Sequence, residues 1–368
     1  VRVVVAMSGG VDSSVVAGLM HEAGHEVIGL TMKLRDGTAA EAAGASGSCC
    51  SADDTQDART VCDALGVPHY VVDYRDAFRK AVIEPFARAY LQGETPNPCV
   101  LCNDHLKFSA LIGRARALGA DALATGHYAR VQRDAVGRYT LHTASDPTRD
   151  QSYFLFGLDQ RALSRVMFPL GDMPKTEVRA HARRMGLEVA EKPDSEDICF
   201  VPDGDYARIV EDVLQARGES APGPGQIVDT HGQVLGEHAG VHHYTVGQRR
   251  GLGVARGERL YVLQVDAPTA TVTVGGRAEL ASQGFMARDA SWVDGDAPTA
   301  GTRCVVRIRS RHRGASCLVS ADGRTLRVLF DAPEEAVTRG QAAVFYVGDR
   351  VLGGAWIDRA LSEREAAQ

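Results

Sequence analysis

Two groups of residues in this chain have types and spacings that chemistry can use. The first is Ala6-Met7-Ser8-Gly9-Gly10-Val11-Asp12-Ser13-Ser14, which follows the apolar run Val3-Val4-Val5. Glycines let a backbone approach an anion, hydroxyls donate to it, and a strand-to-helix turn aims N–H groups and the helix dipole at it. The segment is not a Walker A loop, which needs Gly-Lys-Ser/Thr, nor the Gly-x-Gly-x-x-Gly of dinucleotide folds. Taken alone, Ser-Gly-Gly is equally a plain turn with a good N-cap. The second group is Cys99, Cys102 and Cys199. The segment from Thr95 to Phe108, Pro-rich before Cys102, predicts an extended stretch that places Cys102 just ahead of a helix N-terminus. There the dipole lowers a thiol pKa and favours a nucleophilic thiolate. Cys199 stands in the polar stretch Lys192 to Phe200 with no evident packing reason for a thiol. A lone cysteine is more often an inert core residue, so the combination carries the weight.

These residues need a scaffold, and the pattern supplies one. Strand-like Val3 to Ala6, Val27 to Thr31, His69 to Val72 and Ala122 to Thr125 alternate with helical stretches. The helices run from about Asp12, Asp57 to Leu65, Tyr74 to Leu91, Leu106 to Leu118 and Thr176 to Met185. Such alternation predicts an α/β domain with a parallel sheet. A small-residue stretch between Asp36 and Ser48 reads as a mobile loop. After a helix at Tyr206 to Arg217, the run Gly218 to Gly225 marks a boundary, and short β-runs from Gln226 to Tyr346 predict a small barrel. The expected division is 1–205 for the catalytic α/β domain, 206–278 for a small central domain and 279–360 for a C-terminal β-barrel.

The composition fits this plan and narrows the function. A chain of 368 residues, 44% hydrophobic and 24% charged, has room for two or three domains of about 150 residues. Its net charge of -6 argues against binding nucleic acid through the whole surface. No apolar run approaches the roughly 20 residues of a membrane span, and no signal-peptide pattern precedes Val3, so a cytoplasmic protein without membrane contact is expected. Eight cysteines in such a compartment read as thiols, metal ligands or catalytic sulfur. Cys49, Cys50, Cys62, Cys304 and Cys317 are assigned no catalytic part.

The loop Ser-Gly-Gly-Val-Asp-Ser resembles the pyrophosphate (PP) loop of the ATP pyrophosphatases, which split ATP between the α and β phosphates. Together with Thr-Pro-Asn-Pro-x-x-x-Cys-Asn, Thr-Gly-His-Tyr-Ala, Asp-Gln-Ser-Tyr-Phe and Asp-Ser-x-Asp-Ile-Cys-Phe, in this order along the chain, it is similar to the bacterial tRNA-specific 2-thiouridylases. The stretch His243 to Gly253 also looks like that family's central domain, so the resemblance covers essentially the whole chain. It implies an ATP-dependent tRNA-uridine sulfurtransferase. ATP with Mg²⁺ adenylates C2–O of the wobble uridine, and a cysteine persulfide then supplies sulfur, giving 2-thiouridine, AMP and pyrophosphate.

By motif position, Cys199 would carry the persulfide and Cys102 would be the nucleophile. Ala6, Met7, Ser8, Gly9, Gly10, Val11, Asp12 and Ser13 would hold the ATP phosphates, with Met32 and Gly126, each following a strand, beside the adenosine. Many relatives have Asp at the place of Cys99, so an acid/base role there is put in doubt. Cys99, Cys102 and Cys199 would alternatively ligate an iron–sulfur cluster with one open iron. A structural zinc site lacks a fourth ligand at finger spacing. Other readings are a different adenylating enzyme, which needs no cysteine pair, and a tRNA-binding sulfur carrier without catalysis. The partners implied are tRNAs for Lys, Glu and Gln and a cysteine desulfurase or sulfur-relay protein.

The RNA track has its own signal. Residues 301 to 330 hold Arg303, Arg307, Arg309, Arg311, Arg313, Arg324 and Arg327 against Asp322. Arginines at odd positions from 303 to 313, with Cys304, Val306 and Ile308 between them, predict a strand with one basic and one apolar face. Such a face suits an RNA backbone or simply water. The resemblance adds Arg311, His312, His127, Arg149, Asp150, Gln151 and Gln341 as tRNA contacts, with Asn97, Pro98 and Cys99 beside a uridine flipped from its stack.

Overall fold

A computed structural model describes residues 1–35, 52–194, 198–201, 203–254, 259–322 and 325–367. The small-residue stretch from 36, Cys49 and Cys50, Ser195 to Asp197 and Arg324 lie outside the described residues. The first strand, β1 (Arg2–Ala6), is apolar on both faces, with Val3, Val4 and Val5 fully buried. Parallel partners on both sides explain this. β1 pairs with β2 (Glu26–Lys33) and β4 (Ala122–Ala124), while β3 (His69–Asp73) and β7 (Val166–Met167) flank them in the order β3-β2-β1-β4-β7. Val4 joins Leu30, Phe78 and Phe86 in the apolar cluster on one face. Val3 and Val5 join Val15, Val178 and Ala182 on the other, where α1 (Val11–Glu22) packs on α7 (Lys175–Arg184).

Between these strands the chain forms α2 (Ala52–Leu65), then α3 (Arg75–Phe78), which runs through a π-helical stretch at Arg79–Ile83 into α4 (Glu84–Leu91). The helix expected from Leu106 begins earlier. α5 (Pro98–Cys102) passes through a π-helical stretch at Asn103–Ala110 into α6 (Leu111–Ala117), with Asn97 at the N-cap. Proline at the first helical position loses no hydrogen bond and has a suitable φ, so Pro98 starts a helix where Pro96-Asn-Pro98 suggested extension.

Beyond α8 (Tyr206–Ala216), strands β8 (Gly225–Val228), β9 (Val234–His238), β10 (Tyr261–Asp266) and β11 (Thr271–Gly275) form a sheet in the order β10-β11-β8-β9. Its core is Ile227, Val241, Tyr244, Val262, Val272 and Val274. The last third is an antiparallel six-stranded barrel. Its strands are β12 (Ala281–Trp292), β13 (Thr302–Arg307), β14 (Ala315–Asp322), β15 (Thr325–Glu335), β16 (Ala342–Val347) and β17 (Arg350–Ala360), closed by pairing of β12 with β17.

A hairpin inserted in the α/β unit, β5 (Ala129–Arg133) and β6 (Tyr139–Thr143), attaches to the barrel through Arg350 opposite His142 and Val351 opposite Leu141. That junction has no short-range sequence signal. At it Gly354 lets the Phe156 ring come close: a Cβ there would lie 2.6 Å from a ring carbon. The basic strand is shorter than its pattern predicts. β13 ends at Arg307, Val305 takes an exposed odd position between Arg303 and Arg307, and residues 309 to 313 lie past the strand. None of the described helices is long and apolar enough to cross a membrane.

Candidate active site

The turn from β1 into α1 is held by its own hydroxyls. Ser8 N–H donates to Ser13 Oγ at 3.1 Å, and Ser13 Oγ and Ser14 Oγ donate to the Gly10 carbonyl at 3.2 and 2.9 Å. Gly9 has φ +73°, and a Cβ on it would lie 2.2 Å from the Asp54 carbonyl oxygen. Glycine is therefore required twice, for conformation and for space. Gly10 caps α1 with no side-chain acceptor, which leaves the first-turn N–H groups without a side-chain cap, the arrangement that suits an anion.

Charged groups gather around this turn from distant parts of the chain. Tyr128 Oη donates to Asp12 Oδ1 at 2.7 Å, and Lys175 Nζ lies 2.8 and 2.9 Å from the two Asp12 oxygens. Lys175 also pairs with Asp194 at 2.7 Å, which Arg149 reaches at 2.8 Å and Arg179 at 3.5 Å. Burial alone would raise the Asp194 pKa, but Lys175, Arg149 and Arg179 together hold it below the usual carboxylate range. Burial and the Asp12 charge push the Tyr128 phenol up, so it stays a donor. Lys192 Nζ donates to the Gly9 carbonyl at 3.1 Å and pairs with Asp54 and Asp57, each at 2.6 Å. Sequence reasoning missed Lys175, Lys192, Asp194 and Tyr128 as parts of this site. A single lysine at a helix start carries no signal, and its carboxylate partner is 163 residues away.

Gly126 follows β4 and lies against α1, since its Cβ would fall 2.9 Å from Asp12 Cβ and 3.0 Å from Ser13 N. His127 shares a 2.7 Å hydrogen bond with Thr125 Oγ1 and packs between Phe108 and Phe168, tilted to the first ring and edge-on to the second. Burial, then the Lys107 charge, lower its pKa well below the usual value, so the ring is neutral. Met32 is placed differently from expectation. β2 continues to Lys33, so Met32 is inside the strand opposite Val72, and its 8% exposed side chain belongs to the apolar cluster.

The cysteines also require a correction. Cys102 is the last residue of α5, one turn in from the N-terminus, and is buried in the cluster that contains Phe78 and Phe86. The dipole position expected for it is occupied by exposed Cys99, the second residue of the helix. Cys199 is half-buried against the same cluster as Cys102. Its neighbour Phe200 anchors it there, edge-on to Phe78 and Phe86 with ring centroids 5.8 and 5.1 Å apart. Two residues after Cys102, burial raises the Asp104 pKa to about 7. Its Oδ1 is buried with no hydrogen-bond partner among the described residues. Asp104 directly follows the Thr-Pro-Asn-Pro-x-x-x-Cys-Asn motif and carries no sequence signal of its own; Gly157, on a distant segment, packs against it, since a Cβ there would lie 2.4 Å from Asp104 Oδ1.

The residues expected to meet RNA fall into two sets. Gln341 Nε2 donates to the Thr95 carbonyl at 3.0 Å, and Thr95 N–H donates to the Arg339 carbonyl at 2.8 Å, so the barrel holds the segment leading to buried Asn97 and Pro98. Gln151 Oε1 accepts from Tyr128 N–H at 3.0 Å. The Asp150 carboxylate, 2% exposed, accepts from Ser152 and pairs with Arg307 at 2.5 Å. Arg307 also lies 4.6 Å over the Tyr346 ring. The ring of His312, 7% exposed, meets Glu334 at 3.2 Å and accepts from Gly314 N–H. The side chains of Asp150 and His312 are thus engaged inside the protein, whereas Arg311 and Arg313 are exposed. Arg303 is exposed and paired with Asp331.

Known proteins match along the entire chain. Residues 1–203 match a family model described as a tRNA methyl transferase HUP domain, 211–276 its PRC-barrel domain, and 282–357 an aminomethyltransferase beta-barrel domain. The tRNA-specific 2-thiouridylase MnmA of Geobacter metallireducens is 51% identical over 98% of this chain and 98% of its own. The protein of that name from Geotalea uraniireducens is 52% identical over 99% of this chain and 97% of its own. That of Hyphomonas neptunium is 49% identical over 99% and 92%.

Proposed function

Because this chain belongs to the tRNA-specific 2-thiouridylase family, we propose that it thiolates the wobble uridine of tRNA at C2 at the expense of ATP. One observation carries the reading: Cys102 and Cys199, distant in sequence, share one apolar cluster on the domain that also bears the phosphate-type loop. Methyl transfer, named in the family-model description, has no use for a phosphate cradle.

Uridine O2 is a poor leaving group until AMP is attached to it. In the proposed reaction O2 attacks the α-phosphate of ATP and pyrophosphate departs. Backbone N–H groups and hydroxyls from Ala6 to Ser13 hold the phosphates, with Gly9 making room and Lys175 and Lys192 supplying nearby positive charge. Gly126, and Met32 near the end of β2, border the adenosine. Asp12 would be the residue to hold Mg²⁺ beside the phosphates, and the ion would supply positive charge for the charge that develops there. The terminal sulfur of a Cys199 persulfide then attacks C2, and AMP leaves with the oxygen. Cys102 attacks the inner sulfur, which breaks the S–S bond, leaves the outer sulfur on the base and forms a Cys102–Cys199 disulfide. Two electrons from a reductant reset the pair. A cysteine desulfurase or sulfur relay reloads it, and the substrates are tRNAs for Lys, Glu and Gln.

Within this reading residues 1–205 catalyse, 206–278 form the central domain, and the 279–360 barrel grips tRNA with Arg311. Asn97, Pro98, Cys99, His127, Arg149 and Gln151 face the base and its neighbours. The test is an anaerobic single turnover with persulfide-loaded protein, ATP, Mg²⁺ and an unmodified tRNA transcript, scoring 2-thiouridine and AMP and measuring iron. Thiolated RNA and AMP from iron-free protein support the reading. Thiolation only with stoichiometric iron would instead make Cys99, Cys102 and Cys199 cluster ligands. No thiolation under either condition would refute the assignment.

A further inference from the structure

Three ligand-type side chains meet where α8 faces the 3-10 turn Val241–His243 of the central domain. Glu211 Oε1 lies 3.3 Å from His242 Nε2 and 3.8 Å from His243 Nε2. All three donor atoms lie within 4.8 Å of one another. Ligand atoms about 2.0–2.1 Å from a tetrahedral zinc are roughly 3.3–3.4 Å apart, so small side-chain rotations would bring this trio around one ion. The two imidazoles are sequence neighbours, and successive side chains on a 3-10 turn point away from each other by about a third of a turn. Here their ring centroids are only 4.2 Å apart, with planes inclined by 37°. Two imidazolium ions at that distance repel, whereas two neutral rings suit a shared cation.

His242 is 1% exposed. Its Nδ1 is buried without a hydrogen-bond partner among the described residues, and Nε2 meets Glu211.

We propose that Glu211, His242 and His243 bind a divalent transition cation of the zinc class, clamping α8 to the 3-10 turn Val241–His243. Two imidazoles and one carboxylate suit zinc better than Mg²⁺ or Ca²⁺, which take oxygen ligands. Three protein ligands leave one position for water. The ion would reinforce an existing tie: Tyr206, the first residue of α8, stacks on Tyr90 at 4.6 Å and donates from Oη to the His243 carbonyl at 2.9 Å. The clamp would fix the helix that follows the Cys199 segment. It stands or falls independently of the thiolation chemistry.

Cobalt(II) titration of the full chain tests it, because the d–d spectrum reports the donor set. The expected result is one tetrahedral or five-coordinate Co²⁺ per chain that Zn²⁺ displaces, without the sulfur-to-cobalt charge-transfer band that binding at the cysteines would add. Glu211→Gln and His243→Gln alter exposed and half-exposed side chains. Each should weaken this binding at least about tenfold and abolish the rise in Tm that Zn²⁺ produces in the parent, while the metal-free Tm shows that each variant is folded. Cobalt binding and a Zn²⁺-dependent Tm unchanged in both variants, or a spectrum with thiolate bands alone, would overturn the proposal.

Discussion

Lys175 Nζ bridges two carboxylates, 2.8 Å from Asp12 Oδ1 and 2.7 Å from Asp194 Oδ1. One ammonium, its side chain 9% exposed, thereby joins the first turn of α1 to the segment that precedes Cys199. Lys175→Met would leave both carboxylates without their shared cation. Loss of one partner from a largely buried pair costs about 3 kcal/mol, so a lower midpoint in urea is expected together with loss of AMP formation. Normal AMP formation in the folded variant would reduce Lys175 to a structural strut.

Sulfur transfer and adenylation should separate at the cysteines. Cys199→Ala and Cys102→Ser are expected to lose 2-thiouridine while persulfide-independent AMP release continues. Cys99, exposed and outside the shared cluster, should tolerate serine with most thiolation retained. Parallel loss of iron and thiolation in Cys99→Ser would favour the cluster reading instead. Quantitative nucleoside analysis and AMP release on the same samples distinguish these results.

Burial raises the Asp104 pKa to about 7, which gives stability a pH dependence of defined sign. Between about pH 4, where the unfolded chain loses this proton, and pH 7, the folded chain keeps it. Stability from this group therefore falls as pH rises through that window, and the full cost is present above it. Three pK units set an upper bound on the order of 4 kcal/mol. Asp104→Asn should flatten the Tm profile, raising Tm at pH 8 and changing it little at pH 4. A parallel profile in parent and variant would exclude Asp104 as its source.

Two arginines of the barrel should respond differently. Arg311 is exposed beyond β13, and Arg311→Ala should weaken tRNA binding and reduce the slope of log affinity against log salt by about one. Arg307 neutralises the enclosed Asp150 carboxylate. Arg307→Ala should cost about 3 kcal/mol of stability while leaving the salt slope of the folded protein unchanged. Fluorescence anisotropy at several salt concentrations, beside thermal melts, checks both.

What the sequence determined by itself was local. Val3-Val4-Val5 is apolar on successive residues because a central parallel strand is covered on both faces, and Gly9 stands where a close-packed turn admits no Cβ. The cysteine motifs and the β-rich last third were legible for the same reason, since spacing and alternation act over a few residues. The start of α5 at Pro98 was ambiguous even locally, because proline favours both an extended segment and a first helical turn. Tertiary structure alone decided that Lys175 reaches Asp12, that Cys102 and Cys199 share a cluster, that β6 joins the barrel and that Asp104 is desolvated. Each of these depends on segments far apart in the chain whose contacts form only when apolar faces pack, and burial, which sets the charge and reactivity of the groups involved, is a property of that packing and not of residue type.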